Sequence, residues 1–200
     1  VVIQEEGDTM RAIEKGSRIA QAMLEAISQE RRREASVSHL MIGLNCGGSD
    51  MTSGLVANPA LGIASDRLVE QGGSSILSEL TELLGTQHIL ARRAINEQVG
   101  KEIEDAINAM EEHLTKQTRE STNENRRHLI STGNYDGGLS SVVEKSLGSM
   151  KKSGEKAKFM EVFATGAIPS KRGLLLMDGP GHDGEVATGQ VAAGAQIICF

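Results

Sequence analysis

This chain contains three clusters of potentially reactive side chains, and the first combines a thiol with a glycine turn. Residues 45–50 read Asn-Cys-Gly-Gly-Ser-Asp. Backbone N–H groups in such a turn can bind an anion, and the thiolate of Cys46 could bind a metal ion. An equally open interpretation is a tight turn with a buried Cys46, in which Ser49 and Asp50 only cap the following helix. The segment matches neither the Walker A motif nor the GxGxxG fingerprint, so its pattern alone does not decide.

The second cluster contains two carboxylates followed by a histidine. Glu79 and Glu82 lie three residues apart, and His88 follows Glu82 by six. If Glu79 closes a strand, its carboxylate could be a metal ligand or a general base. For Glu82 we favour a first-turn acid stabilised by the helix dipole, and a lone histidine is more often structural than functional. The chain has no GxSxG sequence, which argues against a Ser-His-Asp hydrolase.

The third cluster joins a glycine-containing loop to a lysine. Residues 133–138 read Gly-Asn-Tyr-Asp-Gly-Gly, and Lys145 lies in the first turns of the helix predicted to follow them. An ammonium group near a helix N-terminus meets an unfavourable dipole, which favours an anionic partner for Lys145. A solvent-exposed lysine is the commoner outcome for this pattern.

The elements that position these clusters alternate between strands and helices. Apolar runs predict strands over residues 37–44, 75–78, 159–164, 173–177 and 196–200, with a further short strand before Gly7. Helical spacing predicts helices over residues 9–28 with Asp8 or Thr9 as cap, 59–71, 85–116 with a kink at Gly100, 141–151 and 188–195. Residues 117–136 are polar and predict a long loop.

This alternation predicts one α/β domain over residues 1–200. We expect a Rossmann-like layered sheet with helices packed on it and glycine turns at the strand ends. In such sheets the residues just beyond the carboxyl ends of the strands form the ligand crevice. Function is therefore expected at four segments, 45–50, 79–82, 134–138 and 178–184.

Composition argues against several classes of function. The 200 residues carry a formal net charge of −6 and contain one tyrosine, three phenylalanines and no tryptophan. Few aromatic rings argue against a stacking platform for single-stranded nucleic acid, and the negative charge disfavours phosphate-backbone binding. No apolar run reaches the roughly 18 residues of a transmembrane helix, and two cysteines without metal-ligand spacing fit a reducing compartment. We expect a cytoplasmic protein that binds neither nucleic acid nor membranes.

Taken together, these motifs resemble the altronate/galactarate dehydratase family, which includes the large subunit of sulfolactate sulfo-lyase. The similarity covers essentially the whole chain, and its most specific parts are Cys-Gly-Gly-Ser-Asp at 46–50, Ala-Asn-Pro-Ala-Leu-Gly at 57–62 and Glu-Lys-Ser-Leu-Gly at 144–148. The other matching residues are 53–54, 66, 78–79, 85, 88, 92–94, 133–134, 137–139, 177–178, 180–181, 183 and 188–189.

The resemblance implies a metal-dependent lyase, usually with iron(II), that removes water from a sugar acid to give a 2-keto-3-deoxy acid. It implies Lys145 and Asp50 as catalytic residues, with Lys145 either pairing with the substrate carboxylate or acting as the base. The substrate-binding residues would be Ser49, Asn58, Asn134, Gly137 and Gly138, and the metal-site residues Cys46, Glu79 and His88. The expected partners are the sugar-acid substrate, the remaining domains or a subunit of the same enzyme, and further copies in a homo-oligomer.

Three departures from the family pattern bear on the substrate. Residues 78–88 lack a proline, a tyrosine and one glutamate of the family, Tyr135 replaces a loop lysine, and residues 179–183 read Gly-Pro-Gly-His-Asp instead of Thr-Pro-Gly-Tyr-Asp. Losing the loop lysine removes an anion contact, so a C–S lyase acting on sulfolactate or another acid is an alternative. A non-catalytic homologue that binds an anion or assists assembly is another. We also expect the chain to be the C-terminal part of a larger enzyme, cut before the family's last segment and inactive alone.

Overall fold

The computed structural model describes residues 1–117 and 130–200, apart from the side chain of residue 117. They divide into two compact units, residues 1–35 and 36–200. In the first unit, helix α1 spans Thr9–Ser28, and the Asp8 carboxylate caps it by accepting a 2.9 Å hydrogen bond from the Arg11 N–H. The predicted helix and its cap are confirmed. The predicted strand before Gly7 is wrong, because residues Ile3–Glu5 form a 3-10 turn.

The second unit is built on a five-stranded parallel sheet. The strands are β1 (Met41–Leu44), β2 (Ser74–Leu77), β3 (Phe159–Ala164), β4 (Leu174–Asp178) and β5 (Ile197–Cys199), in the order β3-β4-β2-β1-β5. Every residue of β2 is buried, as expected of a parallel strand covered on both faces. Each of the five strands predicted from residue 37 onward is present, although β1 begins only at Met41 because Val37–His39 form a 3-10 turn. The predicted fold class is confirmed.

Helices cover both faces of this sheet. They are α2 (Asn58–Glu70), α3 (Gln87–Ala91), α4 (Glu97–Gln117), α5 (Thr132–Asp136), α6 (Val142–Ser149) and α7 (Asp183–Ala192). A π-helical turn at Ser53–Ala57 precedes α2, and 3-10 turns lie at Val37–His39, Leu80–Glu82 and Met150–Ser153. Alternation along β2 and β4 separates two cores: Leu77 and Leu176 pack with α2 and α4, whereas Ile76 and Leu175 pack with α7.

Two helix predictions need correction. The segment 85–116 is not one helix kinked at Gly100, because α3 and α4 are separate. Between them the Ile95 N–H donates to the Phe159 carbonyl at 2.9 Å, and the Phe159 N–H donates to the Arg93 carbonyl at the same distance. Because the backbone of Arg93 and Ile95 bonds to β3, these residues do not continue the helical hydrogen bonds from α3 into α4. The helix predicted over residues 188–195 begins earlier, at Asp183.

The polar segment predicted as a loop contains a short helix where the structure describes it. Residues 132–136 form α5, which Ser131 and Asn134 begin with a reciprocal capping box. Residues 118–129 of the predicted loop lie outside the described residues. Among the helices that are described, none is both long and apolar enough to cross a membrane. The expectation of a single domain over residues 1–200 stays a prediction.

Candidate functional site

The four segments predicted to form a crevice meet at the carboxyl edge of the sheet. The Asn134 side-chain amide donates to the Ser49 carbonyl at 2.8 Å, and the Met51 N–H donates to the Gly137 carbonyl at 2.9 Å. On the other side, the Leu80 N–H donates to the Gly179 carbonyl at 3.2 Å. Residues 45–50 follow β1 directly and residues 79–82 follow β2 after Ser78, so the sheet brings the segments together as expected.

Lys145 is the centre of a polar network in this crevice. Its Nζ lies 2.7 Å from Oε1 of Glu82 and donates to Oδ1 of Asn134 at 3.1 Å. The Lys145 and Glu82 side chains are 13% and 12% exposed. Behind the pair, the Ser49 hydroxyl donates to Oε2 of Glu82 at 3.5 Å and lies 2.9 Å from the Cys46 sulfur. The anionic partner suggested by the helix-dipole argument is therefore supplied within the chain by Glu82, and the commoner expectation of a solvent-exposed Lys145 is wrong.

Asn134 holds this network in place and is itself buried. Its Oδ1 accepts from both Lys145 and the Ser131 N–H, and its amide nitrogen donates to the Ser49 carbonyl. The bonds to Lys145 and Ser49 tie α5 to α6 and to the turn after β1, and the bond from Ser131 caps α5 itself. Asn134 thus orients protein groups, and the sequence-based role of binding the substrate stays a prediction.

A pocket of about 320 Å³ opens beside Lys145, between the π-helical turn and α6. It brings together four of the predicted site residues, namely Ser49, Asp50, Asn58 and Lys145. Apolar side chains form most of the remaining lining, and a second lysine, Lys151, also contributes. A pocket that combines apolar walls with a few convergent polar groups is typical of a small-molecule site.

One wall of the pocket depends on a glycine–glycine contact. A Cβ atom added to Gly148 on α6 would lie 2.9 Å from the Cα of Gly54, which is closer than real side chains approach a backbone. Next to this contact, the Asn58 amide donates to the Gly148 carbonyl at 3.1 Å. The absence of side chains at both positions lets α6 pack directly on the π-helical turn, so the pocket has its present width.

Asp50 lines the pocket, but its carboxylate is engaged in capping. One oxygen accepts from the Thr52 hydroxyl at 2.8 Å, the Ser53 N–H at 2.7 Å and the Ser53 hydroxyl at 3.1 Å. These bonds, led by that from Thr52, lower the pKa of Asp50. A carboxylate stabilised in this way is a poor proton acceptor. The geometry favours the capping interpretation, and the predicted catalytic role of Asp50 rests on the resemblance alone.

Glu79 lies at the end of β2 and forms a buried ion pair with Lys152. Its Oε2 lies 3.1 Å from the Lys152 Nζ, and the two side chains are 2% and 1% exposed. Burial raises the pKa of Glu79, an effect that Lys152 opposes and that the neighbouring Glu82 and Asp183 increase. The backbone of Glu79 is left-handed, with φ 62° and ψ 62°. Both carboxylates of the second sequence cluster therefore have lysine partners.

The residues that the resemblance assigned to a metal do not form a ligand set. The Glu79 carboxylate faces an ammonium group, and His88 is exposed on α3. Within residues 1–117 and 130–200, no three or more His, Cys, Asp or Glu side chains are grouped so that they could hold a metal ion. Cys46, Glu79 and His88 thus do not fit an iron site by themselves. Iron(II) stays a prediction from the resemblance.

Gly137 and Gly138 contribute packing at the crevice. A Cβ on Gly137 would lie 2.6 Å from that of Asp50, so the turn after α5 packs closely against Asp50, which caps the next helical segment.

The sequence does not identify Lys152 as a site residue, because Lys152 lies in a run of charged residues that predicts an exposed surface. It also favours Glu82 as a first-turn acid stabilised by the helix dipole, whereas Glu82 pairs with Lys145. The signal that could have found Glu82 is its position five residues after the end of the buried strand β2 and opposite the helix that carries Lys145.

Comparison with known proteins gives this arrangement a family context. A family model described as D-galactarate/altronate dehydratase, C-terminal, matches residues 37–200. The chain is 42% identical over 183 residues to galactarate dehydratase (L-threo-forming) of Escherichia coli (strain K12), which covers 91% of this chain and 34% of that protein. It is 39% identical over 188 residues to altronate dehydratase of Bacillus subtilis (strain 168), which covers 94% of this chain and 37% of that protein.

A third relative has a different named activity. The chain is 34% identical over 196 residues to the beta subunit of (2R)-sulfolactate sulfo-lyase of Chromohalobacter salexigens, which covers 96% of this chain and 48% of that protein. This chain therefore spans between about a third and a half of the length of these curated relatives.

Proposed function

Because this chain belongs to the D-galactarate/altronate dehydratase family, we propose that it supplies the catalytic crevice of a lyase that removes water from a sugar acid. The substrate class is a galactarate- or altronate-type acid, and the product is a 2-keto-3-deoxy acid. The observation that carries this proposal is the Lys145–Glu82 pair, because Lys145 lines a pocket of about 320 Å³ together with Ser49 and Asn58. The family resemblance inferred from the sequence motifs is confirmed.

The role of Lys145 follows from its ionic partner. Its Nζ lies 2.7 Å from Oε1 of Glu82, so the fold already presents Lys145 to a carboxylate as an ion-pair partner. Of the two roles left open by the sequence, the geometry therefore favours pairing with the substrate carboxylate over acting as the base. As the α-proton leaves, negative charge grows on that carboxylate, and the ammonium stabilises the resulting enediolate.

Glu82 is the proton acceptor in this proposal. Glu82 lies 2.7 Å from the Lys145 Nζ. A substrate carboxylate that engages Lys145 competes with Glu82 for the ammonium, and the released Glu82 carboxylate then accepts the proton of the adjacent α-carbon. Glu82 takes the proton from C2, the C2–C3 double bond forms, and the C3 hydroxyl leaves with the proton that Glu82 returns to it as water. The enol then tautomerises to the keto acid, and Glu82 is again ionised.

Ser49 and Asn58 orient the hydroxyl groups of the substrate. Both line the pocket, and each retains hydrogen-bonding capacity besides its protein partner, since a hydroxyl accepts as well as donates and an amide has a second N–H and a carbonyl. The apolar part of the lining limits water around the reacting carbons, which strengthens the attraction between Lys145 and the substrate.

The test is turnover by the full-length protein as its gene encodes it. Galactarate and altronate are incubated with the protein, with and without added iron(II), and the keto-deoxy acid is measured by periodate and thiobarbiturate. Formation of the product supports the proposal. A folded full-length protein that turns over no aldarate, aldonate or sulfolactate under either condition contradicts it and favours a non-catalytic anion-binding homologue.

A C–S lyase is the second candidate. The match to the beta subunit of (2R)-sulfolactate sulfo-lyase covers 96% of this chain and 48% of that protein, which are the largest shares among the three relatives compared. The same steps apply, except that sulfite instead of hydroxide leaves C3. In that case a partner subunit is expected. Sulfite release from sulfolactate, measured with a thiol-exchange dye, distinguishes this candidate from the dehydratase.

A further inference from the structure

The buried pair of Lys152 and Glu79 has no part in the proposed chemistry, although it adjoins the site. Both side chains are almost fully buried, with 3.1 Å between Nζ and Oε2. Burying two charges costs free energy, so a buried ion pair is tolerated only when its charged groups are held close together. In this structure, separate backbone features hold Lys152 and Glu79 in place.

Lys152 is followed directly by a turn at residues 153–157, and Arg93 and Asp66 stabilise this turn through hydrogen bonds to its backbone. The Arg93 guanidinium donates to the Ser153 hydroxyl and to the carbonyls of Ser153, Gly154 and Ala157, at 2.7–2.9 Å. The Asp66 carboxylate accepts from the successive N–H groups of residues 155, 156 and 157 at 2.8–3.2 Å. Gly154 takes a φ of 73° and lies so close to the Asp66 carboxylate that a side chain has no room there. The position of Lys152 is thus determined by this turn.

Glu79 connects the pair to the proposed site through its backbone. Its φ of 62° is a conformation that residues other than glycine rarely adopt, and Glu79 is the only such residue in the part of the chain that the structure describes. The bend begins the 3-10 turn Leu80–Glu82, in which the Glu82 N–H donates to the Glu79 carbonyl at 2.7 Å. The direction of the Glu79 peptide therefore sets where Glu82 lies.

We propose that Lys152 is a positioning residue: by holding Glu79 in its left-handed bend, it places the Glu82 carboxylate on Lys145. The inference rests on the proposed function, since it assigns importance to the Lys145–Glu82 pair. Lys152 and Glu79 do not touch the substrate. They act only through the turn that carries Glu82.

The test measures how freely Lys145 reacts, which requires no turnover. Full-length protein is treated briefly with an acetylating reagent, and the acetylation rate of Lys145 is measured by peptide mass spectrometry relative to that of the exposed Lys171, which is remote in sequence from the substituted residues. Because Lys152→Met alone leaves Glu79 buried without a partner and could prevent folding, the main variant is Glu79→Gln with Lys152→Met. We expect Lys145 to be acetylated about fivefold faster in it, because a weakened pair with Glu82 leaves the Lys145 Nζ freer to react.

A second pair of variants separates positioning from general loosening of the structure. Glu79→Gly with Lys152→Met supplies a residue that adopts the bend without help, so we expect Lys145 acetylation to return towards the wild-type rate. In a Glu82→Gln background, Glu79→Gln with Lys152→Met is expected to cause no additional acceleration, because the link has already been removed.

Two results overturn the inference. One is a folded Glu79→Gln/Lys152→Met protein in which Lys145 is acetylated at the wild-type rate. The other is an equal acceleration with and without Glu82→Gln. Failure of the proposed function gives a different result, in which the acetylation pattern is as expected but the full-length protein turns over no sugar acid.

Discussion

Asn134 accepts from the Lys145 ammonium on one side of its amide and donates to the Ser49 carbonyl on the other. One side chain on a short helix therefore connects the lysine of α6 to the turn after β1. Asn134 is buried, and its bonds leave it little freedom to rotate. This makes the position of Lys145 a property of the fold, so changes at Lys145 and Glu82 should alter chemistry more than they alter folding.

We expect Lys145→Met and Glu82→Gln each to lower kcat/KM of the full-length enzyme by about 10²–10⁴-fold, as for loss of a general base or of charge stabilisation in the transition state. The double variant should be little worse than either single one, since the two residues act as a unit. Product formation from galactarate or altronate is the measurement. Lys171→Met, at an exposed lysine, is the control. Fully additive losses would show that the two residues act independently.

The contact between Gly148 and Gly54 gives a prediction for the shape of the pocket. Gly148→Ala places a methyl group 2.9 Å from the Gly54 Cα, so α6 must move outward. We expect a loss of about 1–3 kcal/mol in the free energy of unfolding, as for overpacking elsewhere, together with a higher KM. Gly184→Ala on α7 is the matched control, because its Cβ would meet nothing within 4 Å. Equal stability and KM in both variants would contradict the role of the contact.

The sequence predicts what depends on local pattern and misses what depends on distant partners. The short strand predicted over 75–78 and the helix cap predicted at Asp8 or Thr9 rest on local signals, and the structure has a strand at Ser74–Leu77 and a cap at Asp8. The break between α3 and α4 was missed because it depends on backbone bonds to Phe159, which is far along the chain. Lys152 was missed for the same reason. Its burial depends on the turn at residues 153–157, which is stabilised by Arg93 and Asp66 from distant parts of the chain. The crevice could be predicted from strand ends, but the pairing within it could not.

The Glu79–Lys152 pair gives a prediction for stability. Lys152→Met leaves a buried carboxylate without a partner, and we expect it to lower the free energy of unfolding by about 3–5 kcal/mol. Adding Glu79→Gln removes the remaining charge and should restore most of that loss. Urea unfolding followed by circular dichroism measures both. Lys156→Met is the control: its exposed pair with Glu70 is worth less than about 1 kcal/mol. A double variant as unstable as the single one would contradict the pairing.

Asp66 gives a prediction for the pH dependence of stability. Burial raises the pKa of Asp66, but the N–H groups of residues 155–157 and the charge of Arg93 outweigh burial and hold the pKa below its ordinary value. A lowered pKa in the folded state means that the unfolded chain binds the proton more readily. The stabilisation is therefore complete above the unfolded pKa of about 3.9 and is lost as the pH falls through the folded pKa.

Asp66→Asn should remove this dependence, because an amide keeps an acceptor oxygen but carries no titrating charge. At pH 7 we expect the variant to be less stable by about 1–3 kcal/mol, since a charged acceptor of buried N–H groups is replaced by a neutral one. Below about pH 4 the wild type should approach the variant, because protonated Asp66 gives up the same advantage. Urea unfolding of both proteins between pH 7 and pH 3 measures the difference. If the difference stayed constant over that range, the carboxylate charge of Asp66 would not be what holds the backbone of residues 155–157.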